Sequence, residues 1–249
     1  MLLQNRVKEE VSKPFNQTSK DLLFSLHKEV FGSLNGLSLG CSSCKHDAYT
    51  ILKHWLKNQD VFKAKINLFT SYYKDTNEKR QTELDFCLNY NRNSMIFDNV
   101  IVVEDKRPTF KDLFELTKQY PNDINVITNS DIFFTESIFQ CKLLQPNQCF
   151  ALSRWDYQQG GTIKHFDAKD AQDTWVFNGV ANVNGGDFFM GIPGCDNRIA
   201  YEIKNSGYNI SNPSKSIKSV HLHLSEVRNY NRNIHKVEQP YLMLPPCTM

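Results

Sequence analysis

The chain has 249 residues, of which 40% are hydrophobic and 22% charged, a composition typical of globular proteins and not of disordered ones. Its formal net charge of +2 is too small to indicate a partner for the whole molecule. No apolar run approaches the roughly 18 residues that span a bilayer, and the seven cysteines lack a framework spacing. We therefore expect a cytoplasmic protein with free thiols and no membrane span.

The first 60 residues carry two helical stripes of apolar side chains, separated by Gly32, Gly36 and Gly40. The stripes consist of Leu22, Leu23, Leu26 and Val30, and of Ala48, Ile51, Leu52, Trp55 and Leu56. This pattern predicts a helical hairpin. Residues 1–65 contain ten Lys and Arg against six Asp and Glu, a net charge of +4 that leaves −2 for the remainder. This excess of positive charge is typical either of a segment that binds an anionic partner or of a helix face exposed to solvent.

Apolar strands alternate with helical segments from residue 65 onward. Residues 65–70, 99–104 and 124–128 have the pattern of strands, and the second of these is almost entirely apolar. The segments between them carry side chains at helical spacing: Leu84, Cys87, Leu88 and Asn91, then Phe110, Leu113, Phe114 and Thr117. This β–α–β–α–β order predicts a parallel sheet with helices on both faces, whose ligands bind at the carboxyl ends of the strands.

The second half of the chain is less regular. Its pattern indicates a strand at 149–153, a polar surface loop at 158–173, a helix at 195–205 and an alternating strand at 219–224. We predict an α/β fold, with a Rossmann-type mixed sheet flanked by helices in residues 63–249. Residues 1–62 would form a helical N-terminal appendage.

The polar residues after the third predicted strand indicate a metal site. Asp131 follows Asn129 and Ser130 at the edge of the sheet where ligands bind. A divalent cation that bridges a pyrophosphate needs a carboxylate held at a strand end, with space left for phosphate oxygens and water. The alternative is an Asp131 that only caps the next turn.

Two histidines in the last predicted strand are further candidates. His221 and His223 alternate with leucines, so both imidazoles lie on the same face of a strand. They can supply a metal ligand, or they can form an exposed polar face.

Two carboxylates in the second half suggest acid–base or sugar-binding chemistry. A turn at residues 191–194 opens a helix whose first turn carries Asp196. The helix dipole keeps a carboxylate there ionised, as a base or a hydroxyl acceptor requires, although a plain helix N-terminal Asp is equally consistent. Asp173 lies near Trp175, a combination common at sugar sites and also in turns.

A cysteine pair in the N-terminal part raises a zinc hypothesis. Cys41 and Cys44 have the spacing of a zinc pair, with His46 and His54 as further candidate ligands. Structural zinc sites commonly need two such pairs, and only one is present, so two helix-start cysteines are the alternative.

Seven segments together resemble glycosyltransferases of the GT-A fold, in a family found in bacteria, phages and large viruses. They are RxxEL from Arg80, ITNSDIFF, ALSRWD, AQDTWVF, GIPGCDNRIAYEI, NPSKSIKSVHLH and RNY. The resemblance covers about residues 65–232 and leaves the first 60 residues outside. It implies a nucleotide-binding half that ends in an Asp-containing metal motif. For a viral chain, the expected location is the host cytoplasm.

The resemblance assigns a metal site to the chain. It implies that Asp131 binds Mn²⁺ or Mg²⁺ and that Asn129 stands where many relatives have a first Asp. One carboxylate is then present instead of two, so part of the metal shell would come from the nucleotide. His221 or His223 would be the late ligand.

The resemblance also implies a nucleotide-sugar pocket and an acceptor side. Asp173 would hold the donor sugar, and Asp196 would be the base that acts on the acceptor. The residues implied at the nucleotide sugar are Thr70, Ser71 and Tyr72 after the first strand, Glu104 and Asp105 near the base or ribose, Asn129 and Arg154.

These observations predict a metal-dependent glycosyltransferase that uses a nucleotide-sugar donor. The relatives in phages and the basic N-terminal part make a hydroxymethylated pyrimidine in DNA one candidate acceptor. A metal-dependent nucleotidyltransferase is an alternative, but it needs a Gly-rich loop after the first strand, and residues 70–76 contain no Gly. A non-catalytic nucleic-acid-binding protein is a second alternative. The donor sugar and the oligomeric state cannot be read from the sequence.

Overall fold

The computed structural model describes residues 3–31, 42–57, 64–94, 96–228 and 236–249, which form six α-helices and ten β-strands. The helices are α1 (Leu3–Val11), α2 (Lys20–Phe31), α3 (Ser42–Lys57), α4 (Glu78–Asn93), α5 (Phe110–Thr117) and α6 (Cys195–Asn205). The strands are β1 (Ile66–Tyr72), β2 (Asn99–Glu104), β3 (Ile124–Thr128), β4 (Ile132–Phe134), β5 (Gln148–Leu152), β6 (Arg154–Tyr157), β7 (Ile163–His165), β8 (Thr174–Asn178), β9 (Asn209–Ser211) and β10 (Ser219–His221). None of the helices in the described ranges combines the length and apolar character that a membrane crossing requires.

The main sheet has six strands in the order β2-β1-β3-β8-β5-β9. β1 runs parallel to β2 and β3, as predicted, whereas β8 runs antiparallel to both β3 and β5. The residues that precede β8 therefore lie at the same edge as the carboxyl ends of β1 and β3. The predicted α/β class is confirmed: the structure is a mixed sheet flanked by helices, with further helices in the N-terminal part.

Both faces of the main sheet are buried, which explains the apolar runs in its strands. On one face, Phe69 and Trp175 pack with Phe110 of α5 and with α6, and the rings of Phe110 and Trp175 lie 4.7 Å apart. Full burial of a side chain such as Phe110 contributes about 1.5–3 kcal/mol. The start of α5 is fixed by a capping box between Thr109 and Asp112, which satisfies two backbone N–H groups.

A smaller sheet has four strands in the order β4-β10-β6-β7. Its strand β4 begins shortly after the carboxyl end of β3, at the edge of the main sheet where ligands are expected. β10 pairs with both β4 and β6, so His221 lies opposite Ile132 on one side and Asp156 on the other. The surface loop predicted at 158–173 is corrected in part, because it contains β7. That strand pairs with β6 as a hairpin, and its short, partly exposed pattern gives little apolar signal.

The N-terminal part is a three-helix unit with its own core. The predicted hairpin is wrong in its number of helices, because α1 also packs on α2 and α3 through Val7 and Val11. Leu3 packs on the same core one turn before Val7, so α1 has only one apolar side chain per turn, a narrower stripe than those of α2 and α3. The core is completed by Leu23, Phe24, Leu26, Cys44, Ala48 and Leu52.

This helical unit packs on the rest of the chain through α3. Ile51 joins the core beneath the main sheet, and α3 contacts the 3₁₀ segment Glu136–Leu143. The predicted domain boundary at residues 62 and 63 lies outside the described residues. Cys41 and the side chain of His54 also lie outside them, so the zinc hypothesis remains a prediction.

Candidate active site

A cleft of about 530 Å³ opens at the edge of the main sheet where the carboxyl ends of β1 and β3 meet. Its lining includes the end of β1, the segment after β3, β6, the segment before β8, the start of α6 and the end of β10. The side chains that carry its chemistry are Ser71, Asp131, Arg154, Asp173, Asp196 and His221. Together with Asn129 and His223, eight of the residues predicted from the sequence therefore meet in one cavity.

Asp131 lies at the centre of the cleft and is almost fully buried. Its Oδ2 atom accepts a hydrogen bond from Arg80 Nη2 at 2.6 Å and lies 3.2 Å from His221 Nε2. Burial acts to raise the pKa of Asp131, but the neighbouring His221 and Arg80 oppose it and hold the pKa well below its usual range. The carboxyl group is therefore ionised at neutral pH.

The two histidines converge on Asp131. His223 Nδ1 lies 4.0 Å from Asp131 Oδ2, and the two imidazole centroids are 5.3 Å apart. His223 Nε2 is 2.8 Å from the carbonyl oxygen of Val227, which can only accept a hydrogen bond. Nε2 therefore carries the hydrogen, and the lone pair of Nδ1 points toward Asp131. Burial and Arg80 lower the pKa of His223, which favours this neutral form.

His221 has a carboxylate on each side of its ring. Its Nε2 atom faces Asp131, and its Nδ1 atom lies 3.2 Å from Asp156 Oδ1. Burial lowers the pKa of His221, but Asp131 and Asp156 outweigh it and raise the pKa to about 9. A carboxylate on the far nitrogen is the partner that commonly orients a metal-binding histidine.

The ligand atoms of Asp131, His221 and His223 lie within 4.8 Å of one another, a separation that suits a shared metal ion. One carboxylate and two imidazoles leave coordination positions for diphosphate oxygens and water. Imidazole nitrogen is a ligand of transition metals, whereas Mg²⁺ prefers oxygen, so this set of donors fits a transition-metal ion better than Mg²⁺.

Arg80 links the Asp131 carboxylate to the chain segment that carries the histidines. Its Nη1 atom donates to Glu83 Oε2 at 3.1 Å, and Glu83 accepts hydrogen bonds from the backbone and hydroxyl of Ser225 at 2.6 and 2.7 Å. Arg80 and Glu83 are both buried. These hydrogen bonds hold residues 222–228 against α4 and so fix the backbone position of His223.

The opposite end of the cleft contains a second hydrogen-bonded group around Asp173. Its carboxylate accepts from Asn129 Nδ2 at 2.7 Å and from Arg154 Nη1 at 3.2 Å. Arg154 also donates from Nε to Asp156 at 2.8 Å, and its guanidinium covers the ring of Phe166. Arg154 therefore joins the Asp173 end of the cleft to the histidine end.

Asp196 lies in the first turn of α6, with its carboxyl group surrounded by protein and part of the side chain open to the cleft. Burial and the charge of Asp173 raise the pKa of Asp196 to about 8, although Cys195 donates a hydrogen bond from Sγ at 3.0 Å. The expectation that the helix dipole keeps this carboxyl ionised is therefore corrected, because burial and Asp173 outweigh the dipole. A carboxyl group with such a pKa can take up and release a proton near neutral pH.

The turn before Asp196 is crowded. Gly194 has a φ of +80°, and a Cβ there would lie 2.8 Å from the carbonyl oxygen of Val237 and closer still to the Tyr241 hydroxyl. No other residue type fits both this backbone conformation and this space. The direction of Asp196 is therefore set by the C-terminal segment that surrounds Gly194.

The residues predicted near the nucleotide are only partly brought into the cleft. Ser71 lines it, whereas Thr70 is buried within β1 and Tyr72 lies on the side of α4, where its hydroxyl contacts Asp85. Successive strand residues point to opposite faces, so only alternate ones can face a ligand. Glu104 and Asp105 end β2 at the outer edge of the sheet and are not part of the cleft lining.

Several residues of the site carried no functional assignment from the sequence. Tyr73 and Arg107 line the cleft beside Ser71, and Arg80 and Asp156 contact the candidate metal ligands. Tyr73 could have been found from the alternation with Ser71. Arg80 and Asp156 were within recognised motifs, but only the fold shows which carboxylate or histidine each one meets.

No protein-family model and no curated protein sequence matches this chain. Among solved structures, it is similar to a mannosyltransferase from Pyrobaculum calidifontis that was determined in complex with GDP-mannose and Mn²⁺. The two chains share 13% identity with a TM-score of 0.41, and the match covers 92% of this chain and 70% of the other. At this level the similarity does not bear on the activity of the chain.

Proposed function

We propose that this protein is a metal-dependent glycosyltransferase that moves a sugar from a nucleotide-sugar donor to an acceptor hydroxyl. The observation that carries the proposal is the convergence, in one cleft, of the donor atoms of Asp131, His221 and His223 with the raised-pKa carboxyl of Asp196. The first set suits a cation that holds a diphosphate. The second suits a group that takes a proton from a hydroxyl.

The metal end of the cleft would hold the leaving group. Asp131, His221 and His223 would bind Mn²⁺, which when present neutralises charge that develops on the departing diphosphate. Arg107 and Arg228, which also line the cleft, add positive charge to it. These arginines would orient the phosphates before transfer and hold them as the bond to the sugar breaks.

The other end would hold the sugar and activate the acceptor. Asp173 is fixed by Asn129 and Arg154, so its carboxylate can accept hydrogen bonds from sugar hydroxyls in a constant position. In an inverting displacement, the Asp196 carboxylate accepts the proton of the acceptor hydroxyl. The acceptor oxygen then bonds to the anomeric carbon while the bond from that carbon to the diphosphate oxygen breaks.

The nucleotide would lie toward β1. Ser71 and Tyr73 face the cleft from the end of that strand, and an aromatic side chain there suits a nucleobase. Glu104 and Asp105 end the adjacent β2, and their assignment to the base or ribose remains a prediction, as does that of Thr70 and Tyr72.

The proposal is tested by incubating the protein with UDP-, GDP-, CMP- and TDP-sugars in the presence of Mn²⁺ and measuring release of the free sugar. We expect hydrolysis of at least one donor and none after chelation of the metal. A parallel reaction with nucleoside triphosphates measures pyrophosphate release. If only the second reaction proceeds, the protein is a nucleotidyltransferase and the proposal is wrong.

The hydrogen bond between His221 and Asp156 predicts a role for Asp156 in metal affinity. Replacing Asp156 with asparagine removes the carboxylate that orients the imidazole, so the dissociation constant for Mn²⁺ should rise about 10–100-fold. The readout is titration of free Mn²⁺ by electron paramagnetic resonance. Asp167 follows β7 and carries an exposed carboxylate. The substitution Asp167→Asn is therefore the matched control and should bind Mn²⁺ like wild type. Equal affinities for all three proteins would contradict the prediction.

The candidate DNA acceptor makes a separate prediction about the helical unit. If a hydroxymethylated pyrimidine in DNA is the acceptor, wild-type protein will bind duplex DNA at low salt. Lys45→Gln with Lys53→Gln will then lower the salt dependence by about one unit per lost phosphate contact. Lys45 and Lys53 lie on α3, whereas the side chain of Lys57 falls outside the described residues.

A gel shift with salt titration measures this binding, with Lys111→Gln on α5 and Lys118→Gln directly after it as charge-matched controls. Absence of DNA binding by the wild-type protein at low salt would show that DNA is not the acceptor. The role of the helical unit would then be structural, through the packing of α3 on residues 136–143.

A further inference from the structure

A second cleft of about 760 Å³ adjoins the first on the face of the small sheet. It runs from the end of β10 to the turn of the β6–β7 hairpin. Four residues line both cavities: Arg154, His221, His223 and Arg228. A molecule in the second cleft is therefore next to the candidate metal ligands and to the arginine that holds Asp173.

The lining of the second cleft has the character of a carbohydrate site. Gln158 and Gln159 present exposed amides from the hairpin turn, and Tyr157 adds an aromatic ring. Amides, carboxylates and guanidinium groups can each exchange two hydrogen bonds with neighbouring sugar hydroxyls. Aromatic rings with a polar tip pack on the apolar faces of such molecules.

The charge of the cleft argues against a polyanion. Arg154 and Arg228 are balanced by Asp156 and Glu226, and the His221 imidazolium leaves an excess of one positive charge in the lining. Binding of a nucleic acid depends on several basic side chains that neutralise phosphates. A neutral ligand rich in hydroxyl groups fits this balance better.

Both rims of the second cleft are held in place. On the hairpin, the backbone of Gln158 bonds to Thr162 at 2.8 Å, and Gly160 and Gly161 take the positive φ values of a tight turn. On the opposite rim, Glu226 has a φ of 58°, a conformation that is uncommon for a residue with a side chain. Ser225, bound to Glu83, fixes that rim at its base.

We propose that the second cleft is the acceptor subsite and that it binds a neutral saccharide. This inference rests on the glycosyltransferase function proposed above and specifies its acceptor. A saccharide in the cleft extends past Arg154 toward Asp173 and Asp196. One of its hydroxyl oxygens bonds to the anomeric carbon of the donor, the bond to the diphosphate breaks, and the hydroxyl proton passes to Asp196.

The test uses p-nitrophenyl glycosides of glucose, galactose, mannose and N-acetylglucosamine as neutral acceptor probes. Their binding to the full chain is followed by saturation-transfer difference NMR with Mn²⁺ and a nucleoside diphosphate present. We expect at least one glycoside to bind wild-type protein. The double variant Gln158→Ala and Gln159→Ala should weaken that binding about tenfold or more, because two hydrogen-bonding groups are lost. Both side chains are exposed, so the fold should be retained.

The matched control is Gln119→Ala, an exposed glutamine beyond the end of α5, which should bind the glycoside like wild type. The acceptor inference is overturned if no glycoside binds, if the double variant binds as well as wild type, or if only hydroxymethylated duplex DNA competes for the cleft. Donor hydrolysis by the same wild-type sample is measured separately. Hydrolysis without glycoside binding overturns the inference alone, whereas failure of every donor overturns the proposed function.

Discussion

Replacing Asp131 with asparagine will reduce Mn²⁺-dependent donor hydrolysis by about 10³-fold. The substitution keeps the size of the side chain but removes the carboxylate on which His221, His223 and Arg80 converge. Metal-assisted neutralisation of a leaving group contributes several kcal/mol to the transition state, and each 1.4 kcal/mol is about tenfold in rate. The measurement is release of free sugar at saturating donor, together with a Mn²⁺ titration. Hydrolysis within a few-fold of wild type would show that Asp131 does not hold the metal.

Because Asp131 forms an ion pair with Arg80, replacing it should also lower the free energy of unfolding. From its position after a strand, Asp131 is expected to contribute little to folding, but the structure shows it bonded to a buried guanidinium. Leaving one partner of a buried pair uncompensated costs about 3–5 kcal/mol. The double variant Asp131→Asn with Arg80→Gln is therefore the control. It should recover none of the hydrolysis. Its thermal stability relative to Asp131→Asn shows how the cost of an uncompensated Arg80 compares with that of a Glu83 left without its guanidinium.

Replacing Asp196 with asparagine will reduce sugar transfer by about 10²–10⁴-fold, the usual contribution of a general base. Size and hydrogen bonding are kept, so the affinity for the donor nucleotide should change little. The groups that face Asp196 are Asp173, Asp170, Arg154 and Cys195. Transfer by wild-type protein should rise with pH up to about 8, the pKa to which burial and Asp173 raise this carboxyl, because only the ionised form accepts a proton.

The control for this prediction is Asp173→Asn, which should impair use of the donor sugar, including its hydrolysis. If Asp173→Asn instead abolishes transfer selectively and Asp196→Asn is mild, the two roles are exchanged.

The same carboxyl predicts a dependence of folding stability on pH. The pKa of Asp196 rises from 3.8 to about 8 on folding, so between these values the folded state holds a proton that the unfolded chain has lost. Its contribution to the free energy of unfolding therefore falls as pH increases through this window. Asp196→Asn removes this contribution, so its melting temperature relative to wild type should be higher at pH 8.5 than at pH 5. A constant difference would contradict the raised pKa.

Much of the α/β framework could be predicted from local patterns. The apolar runs of β1, β2 and β3 and the helical spacing in α4, α5 and α6 are short-range signals that agree with the tertiary structure. The rule that ligands bind at the carboxyl ends of parallel strands then directs attention to Asp131. By contrast, α1 has only one apolar side chain per turn, and β7 is partly exposed along its length, so both elements give weak signals in the sequence.

The contacts within the site could not be predicted in the same way. Arg80 and Asp131 are 51 residues apart, and His221 and Asp156 are 65 apart, so their pairing depends on the order of strands in two sheets. The proton positions on His223 depend on the carbonyl group of Val227. Residue type identifies which side chains can bind a metal, but the backbone decides which atoms they present to it.

The crowding around Gly194 limits the residue types that related sequences can have at this position. The Tyr241 hydroxyl donates to the Val237 carbonyl directly over Gly194, and the backbone N–H of Leu244 bonds to the carbonyl oxygen of Lys169, near Asp173. Residues 237–244 are thus held both against the turn that precedes Asp196 and against Lys169. Relatives that keep an acidic residue at 196 should therefore keep a glycine at 194.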